Sequence, residues 1–237
     1  MRDSFIYEFY HNNSKNYLSQ ILNAPGRNFD IDIDGKKYPL NINDFSDVSN
    51  VKGTYTSSYR NYEDANLNFE LLLEILKKSY FIDNSELGIK SLTPSAGGMY
   101  PVEIYVLTSA SHSMKGTYHY IRNEAKLNYI RDAIEFSSFL PDNNSFVQNA
   151  SFVIVMTARM ENIINKYGAR GYRYALIEAG HIGQNISRAV TEHQDIGCCA
   201  IGGFYDDKLH NLLNLPLNEV PLYLYCIGKK GVTNERF

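Results

Sequence analysis

Hydrophobic spacing along the chain predicts two principal helices. The run NFELLLEILKKSY repeats apolar residues at helical intervals from Phe69 to Leu76, and Asn68 precedes it as an N-cap. A longer periodic segment spans about residues 170 to 193. Its apolar stripe consists of Ala175, Ala179, Ile182, Ile186 and Val190. The small residues Gly180 and Gly183 predict that another element approaches this helix closely.

Shorter apolar patterns predict the strands of a sheet. VEIYVLTS should be a strand in which Val102, Ile104 and Val106 alternate with outward residues, and SFVIVMTA should be buried on both faces. GTYHYI and KLNYI flank a turn at 122–125, which predicts an antiparallel hairpin. IGCCAIGGF and VPLYLYCIG form two more strands, separated by the short helix DDKLHNLLNL. Because strands and helices do not alternate strictly, the pattern favours an α+β sandwich over a doubly wound parallel fold.

The segment before the first helix differs from the rest of the chain. Residues 1–62 are polar, aromatic-rich and irregular, with a hairpin pattern at 30–37, and we predict an N-terminal wrapping arm. Residues 63–237 form the predicted main domain.

Composition restricts the classes of partner. The 237 residues are 44% hydrophobic and 21% charged, and the net charge of -3 gives no reason to expect nucleic acid or an anionic membrane. Without a signal-like or membrane-spanning stretch, a cytoplasmic protein is expected. The cysteines at 198, 199 and 226 lack CxxC or zinc-type spacing. The adjacent pair is interpreted as small buried strand residues, with a redox or nucleophilic role as the alternative.

The densest polar cluster, NKYGARGYRY at 165–174, leads into the long helix. Lys166 and Tyr167 form a candidate pair in it, because an ammonium beside a phenol favours the phenolate and makes a usable general base. Solvated residues at a helix start are the alternative. Pro94-Ser95-Ala96-Gly97-Gly98 and Gly202-Gly203 have the exposed backbone that lets a loop lie against a flat or anionic ligand, although ordinary turns share that composition.

Two further residue types bear on binding. Ser58 and Arg60 offer a hydroxyl and a guanidinium to a phosphate, or else are ordinary polar loop residues. The six histidines show neither HxH nor HExxH spacing, so no metal site is expected. His181, inside the long helix, is interpreted as a core or interface residue.

Taken together, these motifs resemble the SagB/ThcOx-type flavin oxidases of the nitroreductase-like superfamily, among them the oxidase component of microcin-type thiazole/oxazole synthetases. The matching elements are PSAGGMYPVEIYVL, KYGARGYRYALIEAGHIGQNI, GCCAIGGF and VPLYLYCIGK, with a weaker echo in FYHNNSK. The resemblance covers roughly residues 55 to 230. It implies a nitroreductase-like α+β sandwich with a central mixed or antiparallel sheet flanked by helices, and a homodimer with one FMN per subunit.

The resemblance also assigns residues. The positions that match FMN-binding segments are Ser58, Arg60, Pro94, Ser95, Gly97, Gly98, Gly202, Gly203 and, more weakly, Lys229. Thr56 stands where the family usually has another arginine of the phosphate site. Lys166 and Tyr167 match a catalytic Lys-Tyr pair, and Arg170, Tyr172 and Arg173 follow as substrate-touching or orienting candidates.

The implied reaction converts thiazolines or oxazolines in a peptide to thiazoles or oxazoles, as in ribosomal or nonribosomal natural-product and antibiotic biosynthesis. A base removes a proton from the ring α-carbon while a hydride leaves the β-carbon for flavin N5, and dioxygen reoxidises the flavin. A cyclodehydratase partner and a precursor or carrier-bound peptide are implied. Two alternatives stay open: an NAD(P)H-dependent nitro- or quinone-reductase, and a non-catalytic, flavin-poor scaffold subunit.

Overall fold

The structure, a computed structural model, describes residues 8, 9, 11, 56–85 and 88–231. The hairpin predicted at 30–37 and most of the predicted arm lie outside these residues. The division at residue 62 therefore stays a prediction.

A single antiparallel sheet forms the centre of the described fold. Its strands are β3 (Val102–Thr108), β4 (Thr117–Ile121), β5 (Lys126–Arg131), β6 (Phe152–Arg159), β7 (Ile196–Ile201) and β8 (Glu219–Lys229). They are ordered β5-β4-β3-β6-β8-β7, and each neighbouring pair is antiparallel. The predicted α+β class and the 122–125 hairpin are confirmed. A separate hairpin of β1 (Ile82–Ser85) and β2 (Gly88–Ser91) was not predicted from the sequence.

The described part contains four α-helices beyond residue 56. They are α1 (Phe69–Tyr80), α2 (Met160–Tyr167), α3 (Arg170–Thr191) and α4 (Asp206–Leu213). Short 3₁₀ segments occupy Ala96–Gly98, Phe136–Ser138 and Asp142–Asn149. The predicted cap of α1 is confirmed, since the Asn68 side chain accepts a hydrogen bond of 2.9 Å from the Leu71 amide. None of the described helices has the length and apolar character of a membrane span.

Both faces of the sheet are covered, and this corrects the alternation predicted for β3. Val102, Ile104 and Val106 join a core with α1 and α3, as expected. Tyr105, predicted to point outward, is buried with Leu107 in a second core that includes the 3₁₀ segments and α4. The alternation failed as a guide to exposure because a strand between two layers buries every position.

The glycines of α3 differ in their surroundings. A Cβ added at Gly183 would lie 2.8 Å from the Tyr225 ring, which confirms the predicted close approach at that position. Gly180 has open space where its Cβ would be, so the same prediction there was wrong. His181 is also exposed, which contradicts a core position for it. Both residues face away from the sheet because the stripe that starts at Ala175 takes the opposite side of the helix.

Residues 56–62 run along the free edge of β7 and onto the end of β8. The Tyr59 amide donates to the Cys198 carbonyl at 2.8 Å, and Tyr62 forms a bridge with Lys230. This pairing covers an edge that would otherwise expose unpaired backbone groups.

Candidate functional site

The junction between α2 and α3 places the predicted catalytic pair. Gly168 ends α2 at φ 59°, and its amide donates to the Ile164 carbonyl at 2.7 Å. A Cβ at Gly171 would lie 2.7 Å from the Ile163 carbonyl oxygen, so only glycine lets α3 begin this close to α2. The KYGARG sequence therefore reverses the chain sharply and leaves Lys166 and Tyr167 on the last turn of α2.

The PSAGGMYP loop forms a tight turn before β3. Gly97, Gly98 and Tyr100 have φ values of 60°, 66° and 46°. The Ser95 hydroxyl accepts a hydrogen bond of 2.8 Å from the Tyr100 amide and holds the turn. The positive φ at a tyrosine is uncommon, which makes this loop a candidate for function.

The loop and the Lys-Tyr pair meet at Gly97. A Cβ at that position would overlap Tyr167 Oη and lie 2.6 Å from Lys166 Nζ. Lys166 Nζ lies 5.4 Å from the centre of the Tyr167 ring, which packs edge-on against Tyr174 with 5.0 Å between ring centres. Lys166 is exposed and Tyr167 partly buried. A phenol and an ammonium thus converge on exposed backbone, an arrangement able to move a proton to or from a bound molecule.

A buried carboxyl group supports this loop from below. Glu178 Oε1 accepts hydrogen bonds from Tyr80 Oη at 2.9 Å and the Val102 amide at 3.3 Å. Burial raises the pKa of Glu178, and hydrogen bonds from Ser95 and Tyr80 offset part of that rise. Glu178 was not among the residues predicted from the sequence. The pattern that could have identified it is an acidic residue three positions after Ala175, at the border of the apolar stripe of α3.

An ionic network lies on the other side of the loop. Glu103 contacts His119 Nε2 and Arg122 Nη1, each at 2.9 Å, and Arg159 lies between Glu103 and Glu219. Burial raises the pKa of Glu103, but the hydrogen bond from His119 and the charge of Arg122 outweigh it and lower the pKa overall. A cavity of about 320 Å³ is lined by Glu103, His119, Arg122 and Arg159, together with Gly98, Met99 and Tyr100.

A second group of predicted residues gathers at the end of β7. Arg60, Gly202 and Gly203 line one cavity of about 300 Å³. Open space lies where a Cβ of either glycine would be, and Asn144 holds the loop by donating to the Gly203 carbonyl at 3.1 Å. The Ser58 hydroxyl and the Arg60 charge are near enough to Cys199 to lower the pKa of its thiol. This exposed backbone with a nearby guanidinium and hydroxyl fits an anionic, planar ligand.

The remaining predicted residues are more dispersed. Lys229 is paired with Glu63 at 3.4 Å. Its neighbour Lys230, which was not predicted, lines another cavity of about 370 Å³ with Thr56.

The candidates after the Lys-Tyr pair point in different directions. Arg170 and Arg173 are exposed, whereas Tyr172 is buried and hydrogen-bonds His11 at 2.8 Å. The predicted residues thus form one group at Gly97 and another at Arg60. No contact between described residues joins the two groups.

Sequence comparison identifies the family. The pattern of the Nitroreductase family matches residues 54–229, which is most of the chain. The chain belongs to the nitroreductase family. It is therefore an oxidoreductase of a family whose members typically bind flavin, and the matched range includes both groups of predicted residues.

Individual nitroreductase-family relatives add detail. A nitroreductase-named protein of Methanocaldococcus jannaschii is 32% identical over 176 residues, which is 73% of this chain and 86% of that protein. The microcin B17-processing protein McbC of Escherichia coli is 25% identical over 201 residues, or 78% of this chain and 73% of McbC. Among solved structures, the E. coli microcin synthetase McbBCD complex with truncated pro-MccB17 matches with a TM-score of 0.78. That match has 18% identity and covers 98% of this chain and 94% of the other, which shows the shared fold.

Proposed function

We propose that this protein is an FMN-dependent oxidase that converts thiazoline or oxazoline rings in a peptide to thiazole or oxazole. The observation that carries the proposal is the convergence of Lys166 and Tyr167 on Gly97. A reductase that takes a hydride from a nicotinamide has no evident use for this pair. The similarity to McbC, whose name states a role in microcin B17 processing, supports the assignment.

In this proposal Tyr167 is the general base and takes the proton from the α-carbon of the azoline ring. Lys166 Nζ stabilises the phenolate, because a cation near the phenol favours its charged form. The ring lies against the exposed backbone at Gly97 and Gly98. Bound FMN would supply the redox chemistry by accepting the hydride from the β-carbon, with dioxygen as the final acceptor.

The group at Arg60 would hold the FMN. Arg60 and Ser58 would bind the phosphate, and the open backbone at Gly202 and Gly203 would lie beside the cofactor. Because Lys229 is paired with Glu63 and Thr56 replaces an arginine, Lys230 is a further candidate for the phosphate.

A homodimer would bring together the two groups that stay separate in one chain. Ile177 is 48% exposed on α3, and Gly180, His181 and Gln184 are exposed on the same side of that helix. Residues spaced by three and four positions form one helix face, and an exposed isoleucine on it favours contact with another apolar surface. We propose that this face packs against its copy, with FMN at the interface.

The partners follow from the substrate. Azoline rings must first be made from Cys, Ser or Thr residues, so a cyclodehydratase acts before this enzyme on a precursor or carrier-bound peptide. The fold match to a synthetase complex with its pro-peptide bound is consistent with such an assembly.

Absorbance spectroscopy tests the proposal directly. The purified protein should show an oxidised flavin band that bleaches on anaerobic addition of an azoline peptide and returns when air is admitted. Bleaching by NADPH alone would indicate a reductase, and a colourless protein that does not take up FMN would indicate the scaffold subunit.

Variants of the pair sharpen this test. Tyr167→Phe and Lys166→Ala should retain flavin and lose about 100- to 10,000-fold in azoline oxidation, the range typical of an acid/base group. Tyr174→Phe is the matched control, because it removes a neighbouring hydroxyl and leaves the pair in place. Full activity in both pair variants would refute the assigned roles.

A further inference from the structure

Two cysteines lie directly opposite each other in the sheet. In the antiparallel register of β7 and β8, Cys199 is the partner of Cys226. The Cys198 carbonyl accepts from Tyr59 on the other edge, so the backbone of Cys199 faces β8 and forms a hydrogen-bonded pair. Such pairs have Cα atoms about 5.5 Å apart. Disulfides span Cα distances of about 4.4 to 6.8 Å, so the Cα spacing of this pair is within range. The Cβ atoms of opposite residues lie about 4.5 to 5.5 Å apart, so bond formation draws the two strands together by about 1 Å.

The Cys226 thiol contacts the backbone of Cys199 and a nearby hydroxyl. Cys226 Sγ donates to the Cys199 carbonyl at 3.5 Å and lies 3.4 Å from Tyr62 Oη. Both cysteines are buried and both are free thiols in this structure. Cys198, one residue before, belongs to the core on the opposite face of the sheet.

The surroundings make the two thiols chemically unequal. Cys199 lines the cavity of about 300 Å³ that also contains Arg60. The nearby Cys226 thiol, together with the Ser58 hydroxyl and the charge of Arg60, lowers the pKa of Cys199. Burial raises the pKa of Cys226. A thiolate beside a cation is the reactive form of cysteine, and an adjacent thiol is able to resolve its oxidised product.

We propose that Cys199 and Cys226 are a peroxide-oxidisable dithiol, in which Cys199 reacts first and Cys226 completes a cross-strand disulfide. The Cys199 thiolate attacks one oxygen of hydrogen peroxide, the O–O bond breaks, and the departing hydroxide takes a proton to become water. Cys226 then attacks the Cys199 sulfenic acid, the S–S bond forms, the S–O bond breaks, and a second water leaves with the proton of Cys226. Two thiols are oxidised and one peroxide is reduced.

This inference rests on the proposed function only for the source of the hydrogen peroxide. If dioxygen reoxidises the bound flavin by two electrons, hydrogen peroxide forms inside this protein. The dithiol rests on strand register, cavity position and neighbouring charge, and added peroxide tests it whether or not the protein oxidises azolines.

The experiment treats the full chain with hydrogen peroxide, with and without saturating FMN, blocks the remaining thiols with N-ethylmaleimide, and maps peptides by mass spectrometry. We expect a Cys199–Cys226 cross-link that dithiothreitol reverses, forming at least about tenfold faster than any oxidation of Cys198. In Cys226→Ser, Cys199 should stop at a sulfenic acid that dimedone traps. Cys198→Ser is the matched control and should form the cross-link normally.

The outcomes separate this proposal from the proposed function. Absence of the cross-link with and without FMN, or equal oxidation of Cys198 and Cys199, would overturn the dithiol. A cross-link that FMN slows would support both the dithiol and a cofactor in this cavity. A cross-link that forms at equal rates with and without FMN would support the dithiol and count against the cofactor position.

Discussion

Gly97→Ala isolates the contact on which the proposed chemistry depends. At φ 60° an alanine costs about 1–2 kcal/mol relative to its preferred conformations. Its Cβ would also lie 2.6 Å from Lys166 Nζ and overlap Tyr167 Oη, and both groups are the far ends of flexible side chains. The chain should therefore fold with a modest loss of stability while the pair moves away. A displacement of about 1 Å is able to cost about 100-fold in rate, so we expect at least that loss of azoline oxidation.

Gly98→Ala is the matched control for this substitution. Gly98 has φ 66°, and nothing lies within 4 Å of its Cβ position, so it carries the same backbone cost without the displacement. Thermal unfolding should show similar destabilisation in both variants. A methyl group at Gly98 meets only the bound ring, so Gly98→Ala should raise the KM for the azoline peptide and keep kcat, whereas Gly97→Ala should lower the kcat of peroxide production. Equal kcat values in the two variants would refute the idea that the position of the pair controls the rate.

Three further predictions concern stability. Burial raises the pKa of Glu178, so the folded state binds its proton more tightly than the unfolded state. The stabilisation from this proton is complete below the ordinary Glu pKa of about 4.3 and is lost as pH rises through the folded pKa. The free energy of unfolding in urea should therefore fall as pH rises, and Glu178→Gln should reduce that fall. Gly183→Ala should destabilise by about 1–3 kcal/mol in thermal melts through overlap with the tyrosine rings of β8. Asn68→Ala should cost about 1 kcal/mol in the same assay, and no loss would show that the cap is dispensable.

Local sequence patterns were enough to predict most elements of the fold and the residues with candidate chemistry. Helical and strand periodicity predicted α1, α3 and the six strands of the main sheet, because these patterns reflect which side of each element meets the core. The polar cluster at 165–174 and the two glycine pairs were visible as candidates, because their unusual residue types are adjacent in the chain. Matching these motifs to a family was enough to predict the α+β class and the nitroreductase relationship.

The contacts between these elements depend on how the whole chain folds. Gly97 contacts Lys166 and Tyr167 because strand pairing brings β3 beside β6, and no local pattern encodes that approach. The same holds for Cys199 and Cys226, whose partnership depends on the register of β7 and β8, since a shift of one residue would place them on opposite faces. Exposure likewise depends on layers contributed by distant segments, which is why the alternation of β3 and the environment of Gly180 were wrongly predicted from local sequence.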